Sequence, residues 1–523
     1  MLRKRIWKPL AGAIFFLTLL AAFFFCRALI KLDVLPTNYM FIILGAVALL
    51  LAAGALLLYA GINKKPSAGR RVRRIAGGAL CGVLILGCGI AGYAISKLDK
   101  TKEDVAKAEY DVKAVVGVYV AKDDPAQTLS DAAGYTIGVL SGYEESNSLY
   151  ALGEIGKIKG SAADSRNYAD ITAAAAALRS GEVRALAVNT SYLALLQDSE
   201  EFNSFSSEIR LIESINIPVD SGDGSGGGSG SESGTIERPW KSDEDISDII
   251  EKESMFIIYL SGNDARGTTL AKGRSDVNIL MAVNPNTKQI LLISTPRDYY
   301  IENPALGGAM DKLSHCGLFG AENSAAALEN LYKSPVSGYF QINFTGFEKV
   351  VDAIGGIELD NPTAFSTTKG VYFEKGKISL DGEHALAYAR ERHAFGDGDL
   401  SRGRNQIRVI KAMISKLKSS GASLLKNYSD ILDSLSGMFI TDLSSQQISQ
   451  IAKLAVSHLS DWDVKSCTVS FSSTGMMSTA SGGAAPVYIM WPDLNQIQLV
   501  TDTLTRMQAD EIITDEDIAS IAG

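Results

Sequence analysis

Three long apolar runs near the N-terminus constrain the fold of this chain more than any other feature. They cover residues 10–26, 39–61 and 75–95. A helix needs about 20 apolar residues to cross a bilayer, so the second and third runs are long enough and the first is at the short limit. A cleaved signal peptide is the alternative for the first run, but no small-residue cleavage pattern ends it and two further spans follow. The sequence therefore predicts a three-span membrane anchor over residues 1–98.

The charges that flank these runs predict the orientation of the anchor. Lysine and arginine are frequent before the first run and between the second and third, and sparse between the first and second. Because positive residues concentrate on the cytoplasmic side, the N-terminus and the second loop face the cytoplasm. No ionisable residue interrupts the spans, which favours an anchor over a transport path. We expect a multi-pass protein of the cell membrane with its large C-terminal region outside the cytoplasm.

Length, net charge and cysteine count exclude several classes of protein. A chain of 523 residues is long enough for two or three domains. The net charge of -9 argues against a general nucleic-acid binder, which is usually basic. Five cysteines are too few for a disulfide scaffold. Cys316 and Cys467 can pair if their region is extracytoplasmic, and the sequence leaves that question open.

The middle of the chain predicts an accessory α/β domain over residues 111–219. Segments 115–120, 135–140 and 184–188 are typical of strands, and the alanine-rich segment 171–178 predicts a helix. This alternation faintly resembles one lobe of a solute-binding protein. No catalytic constellation stands out, so we expect a packing or partner-binding domain. Residues 220–242 are rich in Gly and Ser and predict a flexible linker.

The third region, 243–523, carries the chemistry. Three strands are predicted, over 255–260, 277–283 and 289–294, and the last two form a hairpin around a turn near Asn286. Arg274, Asp276 and Arg297 then share its open end, and the first strand brings Asp264 there. Two carboxylates beside phosphate oxygens make a magnesium site. A salt-bridge cluster at the strand ends is the alternative interpretation.

A segment dense in arginine follows at 389–406, with Arg390, Arg392, Arg402 and Arg404. Arginine forks suit phosphate oxygens and keep their charge near neutral pH. We expect an extended backbone around Tyr388, which would direct Arg390 and Arg392 to the same side. A solvated, salt-bridged face is the alternative.

A helix is predicted to follow over residues 400–417. Arg402 and Gln406 share one of its faces at a spacing of four, near a helix start that favours anions.

The ordered motifs of this region resemble the LytR-CpsA-Psr family. The match extends from about residue 255 to 417 and rests on Gly-Arg-Ser-Asp276, Thr-Pro-Arg-Asp298, Lys312-Leu-Ser-His315, Val351-Asp-Ala-Ile-Gly-Gly356, Leu386-Ala-Tyr-Ala-Arg-Glu-Arg392 and Gly398-Asp-Leu-Ser-Arg-Gly-Arg-Asn-Gln406. The resemblance implies an α/β catalytic domain with a mixed central sheet flanked by helices. It also implies transfer of a glycopolymer from a polyprenyl pyrophosphate carrier to peptidoglycan.

The same resemblance implies a role for each site residue. The implied groups are catalytic Arg274, Arg297, Asp399 and Arg402; substrate-binding Arg390, Arg392, Gln406 and Lys312; and Asp264 and Asp276 as ligands of Mg²⁺. Asp399 would orient an arginine or transfer a proton, and His315 is either an edge residue or structural. Other branches place an arginine directly before the glutamine. Here that position is Asn405, which leaves the role open or passes it to Arg404.

Three functions remain open at this stage. The three spans and the extra domain are similar to the capsule-associated CpsA branch, which implies a magnesium-dependent phosphotransferase for a capsule-like polymer, with capsule-synthesis proteins as partners. A pyrophosphate hydrolase at the same site is one alternative. A non-catalytic sensor of lipid-linked precursors that regulates polymer synthesis is the other.

Overall fold

A computed structural model of the chain describes residues 2–59, 67–106, 114–218, 245–263, 272–435, 438–457 and 461–522. They form two compact units. The first comprises Met1–Lys107, Ser420–Ser436 and Leu443–Asp461, and the second comprises Ala108–Ser419, Gly437–Asp442 and Trp462–Gly523.

The first unit is built on three long helices, α1 (Leu2–Leu32), α2 (Thr37–Tyr59) and α3 (Ala68–Ala106). All three are long and apolar enough to cross a membrane. Large apolar side chains such as Phe41 and Leu86 are exposed on their surfaces, as lipid-facing positions require. The predicted spans are confirmed, and each described helix extends beyond its apolar core. The chain is therefore a membrane protein.

The accessory region of the second unit has a five-stranded mixed sheet of order β3-β2-β4-β1-β5. Strand β2 is parallel to β3 and β4, whereas β1 is antiparallel to β4 and β5. The elements are β1 (Ala114–Ala121), α4 (Leu129–Ala132), β2 (Ile137–Leu140), a 3-10 turn (Gly142–Glu144), α5 (Glu145–Lys159), β3 (Ser165–Tyr168), α6 (Ile171–Ser180), β4 (Ala185–Asn189), α7 (Thr190–Leu196), α8 (Phe205–Glu208) and β5 (Ile209–Ile217). The region is α/β, as its sequence pattern predicts.

The remaining elements begin with α9 (Ile246–Glu251), β6 (Phe256–Asn263), β7 (Ser275–Asn284), β8 (Gln289–Ser294), β9 (Tyr300–Asn303), a 3-10 turn (Pro304–Leu306), β10 (Ala309–Lys312), α10 (Leu313–Cys316), a second such turn (Gly317–Phe319), α11 (Ala321–Tyr332), β11 (Gly338–Asn343) and α12 (Phe344–Ala353). They continue with β12 (Ile357–Asn361), β13 (Phe365–Ser366), β14 (Tyr372–Phe373), β15 (Gly376–Leu380), α13 (Gly382–Arg390), α14 (Asp399–Leu435), β16 (Phe439–Thr441), α15 (Ser445–Ser457), β17 (Asp463–Thr468), β18 (Phe471–Thr479), β19 (Gly483–Pro492), α16 (Leu494–Gln508) and α17 (Asp515–Ala522). Helix α15 belongs to the first unit, where Lys102 donates to Oγ of Ser449 over 2.8 Å.

The part of the second unit that follows the accessory region is called the catalytic region below. A six-stranded sheet of order β16-β11-β6-β7-β8-β17 forms its centre. Strands β6, β7 and β8 are antiparallel neighbours, whereas β11 and β17 run parallel to β6 and β8. The mixed central sheet flanked by helices is confirmed. Strands β6 and β8 are almost continuously buried, which fits the apolar runs in their sequences.

The predicted hairpin forms between β7 and β8, with Asn284 opposite Gln289. Oδ1 of Asn284 accepts hydrogen bonds from the backbone of Asn286 and Thr287, and this Asx turn fixes the fold-back.

The helix predicted over 400–417 is longer than expected, because α14 extends to Leu435 as one helix. Further along the chain, β17 ends at Thr468, and a separate hairpin of β18 and β19 follows. Cys316 and Cys467 are both free and both lie in one buried apolar core.

Candidate functional site

The open end of the β7–β8 hairpin brings together two predicted site residues. Asp276 lies at the start of β7, and Arg297 follows the end of β8. Because the strands are antiparallel, these positions share one edge of the sheet. Nη1 of Arg297 donates to Oδ1 of Asp276 over 2.8 Å, and both side chains are largely buried.

Helix α14 adds Asp399 and Arg402 to this place. Asp399 is the first residue of the helix, and its carboxylate forms an ion pair with Arg402 one turn later. Oδ2 of Asp399 accepts a hydrogen bond from the backbone N–H of Arg297 at 3.3 Å. Gly403 permits the close approach, because a Cβ there would lie 2.7 Å from Oγ of Ser294 at the end of β8. The helix start is thereby held against the hairpin end.

Lys312 joins the cluster through Asp298. Nζ of Lys312 lies 2.7 Å from Oδ1 of Asp298, and that oxygen lies 3.7 Å from Nε of Arg297. Lys312 is only 2% exposed, so its ammonium depends on carboxylates for solvation. Within the part of the chain that the structure describes, the buried Nε of Arg297 makes no hydrogen bond. That donor is suited to an anionic ligand.

His315 supports the cluster from within the core. Its Nδ1 lies 2.7 Å from Oδ1 of Asp311 and 3.1 Å from Oγ of Ser481. Asp311 also accepts a hydrogen bond from Nδ2 of Asn303 at 3.0 Å. These bonds satisfy one ring nitrogen with buried partners, which is the structural role that the sequence left as an alternative for His315.

The accessory region contributes a carboxylate that the sequence did not reveal. Oδ2 of Asp198 lies 3.2 Å from Nζ of Lys312, 3.6 Å from Nη1 of Arg274 and 3.9 Å from Nε2 of His315. Nη1 of Arg274 also donates to the backbone carbonyl of Ala194 at 3.2 Å. Arg274 is therefore held by the accessory region as well as by its own strand end.

The carboxylates of the cluster differ in the direction in which their pKa is shifted. Burial raises the pKa of Asp276, but Arg297 and Arg402 outweigh it and lower that pKa to about 2. Burial also tends to raise the pKa of Asp298, but the charges of Lys312 and Arg297 outweigh it, and the pKa is lowered. Asp399 differs, because burial raises its pKa and the charge of Asp298 adds to the effect, although Arg402 opposes both. Of these three carboxylates, Asp399 is thus the one whose surroundings favour the protonated form, which suits it to accept a proton.

Arg390 and Arg392 are placed differently from the prediction. Helix α13 continues through Arg390, so the expectation of an extended backbone from Tyr388 is wrong. The guanidinium of Arg390 lies 4.2 Å from the ring centroid of Phe344, and Nε of Arg392 donates to Nε2 of His393 at 3.3 Å. The extended conformation that would direct both arginines to one side is absent here. Within the part of the chain that the structure describes, Arg392 makes no contact with the buried cluster.

Asn405 has a structural role. Asn405 is buried, and its Nδ2 donates to the carbonyl of Tyr388 at 3.3 Å, which ties α14 to α13. Arg404 instead pairs with Asp397, and 42% of its side chain is exposed. Gln406 is buried on α14 one turn after Arg402. Arg404 therefore does not take a place in the buried cluster.

The predicted magnesium site is described only in part, because Asp264 lies outside the described residues. Among the residues that the structure describes, no group of three or more His, Cys, Asp or Glu has the arrangement of a metal site. Asp276 fits the role chemically, because its ionised carboxylate supplies the hard oxygen that Mg²⁺ prefers. The ion pair with Arg297 uses Oδ1, and the carboxylate has a second oxygen.

Two residues of the cluster had no role in the sequence interpretation. Asp298 stands in the Thr-Pro-Arg-Asp motif, so its position beside Arg297 was a usable signal. Asp198 stands in Gln-Asp-Ser-Glu-Glu, which has the composition of an ordinary acidic surface loop. Only the packing of the accessory region on the catalytic region reveals it.

Comparison with known proteins gives this cluster its context. The sequence profile of the LytR_cpsA_psr family matches residues 228–492, just over half of the chain. The chain belongs to the LytR-CpsA-Psr family. A relative from Enterococcus faecalis, named polyisoprenyl-teichoic acid–peptidoglycan teichoic acid transferase TagU, is 38% identical over 222 residues, which are 42% of this chain and 70% of the relative. A TagU of Oceanobacillus iheyensis is 34% identical over 227 residues, 41% of this chain and 69% of that relative.

Solved structures also align with this LytR-CpsA-Psr chain. Bacillus subtilis TagV aligns over 50% of this chain and 99% of its own, with 25% identity and a TM-score of 0.41. A structure titled TagT bound to LI-WTA aligns over 52% of this chain and 94% of its own, with 26% identity and a TM-score of 0.40.

Proposed function

We propose that this protein is a magnesium-dependent phosphotransferase that moves a glycopolymer from a polyisoprenyl pyrophosphate carrier to peptidoglycan. The observation that carries the proposal is one buried cluster in which Arg297 and Arg402 lie with Asp276 and Asp399 in a LytR-CpsA-Psr chain. The relatives named for teichoic acid transfer to peptidoglycan support the reaction class.

The proposed reaction exchanges one phosphorus–oxygen bond for another. A hydroxyl oxygen of peptidoglycan bonds to the phosphorus that carries the polymer, the pyrophosphate bridge breaks, and the polyisoprenyl phosphate leaves. Such transfers depend on positioning and charge stabilisation more than on covalent catalysis. Arg297 and Arg402 stabilise the charge that builds up on the phosphate oxygens, and Asp399, with its raised pKa, accepts the proton of the attacking hydroxyl.

Asp276, together with Asp264 outside the described residues, would hold Mg²⁺. The bound ion would neutralise charge on the pyrophosphate oxygens. The pKa of Asp276, lowered to about 2, keeps this ligand ionised at neutral pH.

We further propose that the polymer is capsule-like and that the large C-terminal region faces the outside of the membrane. The charge pattern around the three spans supports the orientation, and the three-span anchor with an accessory region supports the capsule-like donor. Proteins of capsule synthesis would then be its partners in the membrane.

The test is a transfer assay with the full chain in detergent micelles. A synthetic polyprenyl pyrophosphate glycopolymer serves as donor and peptidoglycan fragments as acceptor, with capsule-type and teichoic-acid-type donors compared. We expect a polymer-linked peptidoglycan product that is lost on EDTA treatment, returns with Mg²⁺, and falls by at least about 100-fold in Arg297→Ala. Arg506→Ala, which removes an exposed ion pair far along the chain, is the matched control and should retain activity.

The same assay separates the alternatives. A hydrolase releases polyprenyl phosphate without joining polymer to the acceptor, and its rate is independent of acceptor concentration. A sensor binds the donor without turnover and tolerates removal of the metal. Either result would exclude the transferase.

A further inference from the structure

Asp198 is a residue of the accessory region whose side chain lies in the charged cluster. It follows helix α7, and its carboxylate contacts Lys312 and Arg274 at 3.2 and 3.6 Å. Both of these cations belong to the catalytic region, and both have a predicted role toward the pyrophosphate. A carboxylate from another part of the chain therefore lies beside the groups that would bind the donor.

The segment that carries Asp198 is held firmly in place. Oγ of Ser191 donates to the carbonyl of Lys272 at 2.9 Å, and Ser199 forms a β-bridge with Val487. The rings of Tyr143 and Phe319 pack edge to face, 4.5 Å apart. A single buried apolar cluster contains residues of both regions, among them Leu196, Phe202, Phe205, Leu318 and Ala485. The position of the carboxylate is thus fixed by packing on both sides.

We propose that Asp198 is a positioning residue, through which the accessory region orients Arg274 and Lys312 for binding of the donor pyrophosphate. This inference rests on the proposed function for the identity of the ligand. It gives the accessory region a part in the site itself, beyond packing.

The hydrogen-bonding capacity of Lys312 supports this role. An ammonium has three donors. Nζ of Lys312 donates to the carboxylate of Asp198 at 3.2 Å and forms an ion pair with the carboxylate of Asp298 at 2.7 Å. Among the residues that the structure describes, no other acceptor contacts this ammonium, so a third donor is left for a phosphate oxygen while the two carboxylates hold the nitrogen in place. Long cationic side chains lose much rotamer freedom when a ligand orders them, and an ion pair already formed in the free protein reduces that loss.

Arg274 is oriented in the same way. Its Nη1 contacts both the carbonyl of Ala194 and the carboxylate of Asp198, so two groups of the accessory region hold this end of the guanidinium. Arginine binds phosphate through its planar fork, and a rotation of that plane misaligns the fork. Loss of the Asp198 charge would remove one anionic contact from each cation at once.

The two physical roles of a carboxylate here predict opposite signs. If Asp198 acted only through its charge, its neutralisation would remove a repulsion and tighten the binding of an anion. If it positions the cations, its neutralisation weakens binding although the site becomes more positive. The sign of the change therefore decides between the two roles.

The experiment compares Asp198→Asn and Asp198→Glu with wild type in the full chain. Glu182→Gln, which alters an exposed ion pair of the accessory region, is the matched control. Binding of geranyl pyrophosphate is measured by calorimetry with Mg²⁺ present, and turnover is measured in the transfer assay. We expect Asp198→Asn to weaken binding about 10-fold and to lower kcat/KM by about 10- to 100-fold, because small misplacements of binding groups have effects of that size.

Three outcomes bear on the proposal. Asp198→Glu, which restores the charge, should recover most of the binding, and the melting midpoint of each variant reports whether the fold is intact. Unchanged or tighter binding in a folded Asp198→Asn protein would overturn the positioning role. Failure of wild type to form a polymer-linked product would instead overturn the proposed function, while the binding measurement would still judge Asp198.

Discussion

Oδ1 of Asp276 lies 2.8 Å from Nη1 of Arg297, across the open end of a hairpin. Both side chains are largely withdrawn from water, so each charge depends on the other for its solvation. Removal of one partner leaves the other buried without its closest counter-charge. The pair therefore links the stability of the catalytic region to the charges that the proposed reaction needs.

We expect Asp276 to make the protein sensitive to acid. Its pKa is lowered from 3.8 to about 2, so its contribution is fully present above pH 4 and is lost as the pH falls through 2. The difference corresponds to about 2 kcal/mol of unfolding free energy. Asp399, with its raised pKa, acts in the opposite direction, since its contribution is lost as the pH rises.

The measurement is the thermal unfolding of wild type and Asp276→Asn in detergent, followed by tryptophan fluorescence between pH 7 and pH 3. The variant should be less stable at pH 7, and the difference should shrink toward pH 3. A constant difference at all pH values would show that the carboxylate charge is not the source.

Arg402 and Arg404 should differ sharply in their effect on activity, although only one residue separates them. Arg402 is buried against Asp399, whereas Arg404 pairs with Asp397 at the surface. We expect Arg402→Ala to lower the transfer rate by about 100-fold or more, and Arg404→Ala to change it by less than about twofold. Comparable losses in the two variants would mean that Arg404 serves the site after all.

Gly403 should tolerate no side chain unless Ser294 becomes smaller. A Cβ at 403 would meet Oγ of Ser294 at 2.7 Å, and the next contact, Cγ2 of Thr468, is at 3.3 Å. We expect Gly403→Ala to lower the unfolding free energy by about 1–3 kcal/mol through overpacking, and the start of α14 to shift with it.

The double variant Gly403→Ala/Ser294→Ala should recover most of that loss, because it removes the closest atom. Gly396→Ala is the control, since nothing lies within 4 Å of a Cβ there. Thermal unfolding measures all four proteins, with Ser294→Ala as the fourth. If the double variant were no more stable than Gly403→Ala, the contact with Ser294 would not be the cause.

Cys316 and Cys467 should remain unreactive in the folded protein. Burial raises the pKa of both thiols, that of Cys467 to about 12, so little thiolate forms near neutral pH. We expect N-ethylmaleimide to modify both only after denaturation, as judged by peptide mass spectrometry. Ser472→Cys, at an exposed position of β18, is the positive control and should be modified in the native state. A melting midpoint that falls on addition of reductant would reveal a disulfide.

The sequence by itself determined the three membrane helices and the hairpin that joins Asp276 to Arg297. Both follow from local rules: an apolar helix of sufficient length, and two strands around an Asx turn whose ends must meet. The arginines of the 389–406 segment were a different case. Their sequence spacing could not show that α13 continues through Arg390, because the end of a helix depends on what packs against it.

The tertiary structure alone decided which charges share the buried cluster. Because residue 403 is glycine, α14 packs closely against the end of β8. In this position of the helix Arg402 is buried, whereas Arg404 lies at the surface. Asp198 reaches Lys312 although 114 residues separate them, because two regions pack through a common apolar core. An ion pair between distant segments leaves no periodic trace in the sequence, since it depends on how whole elements pack and not on local conformation.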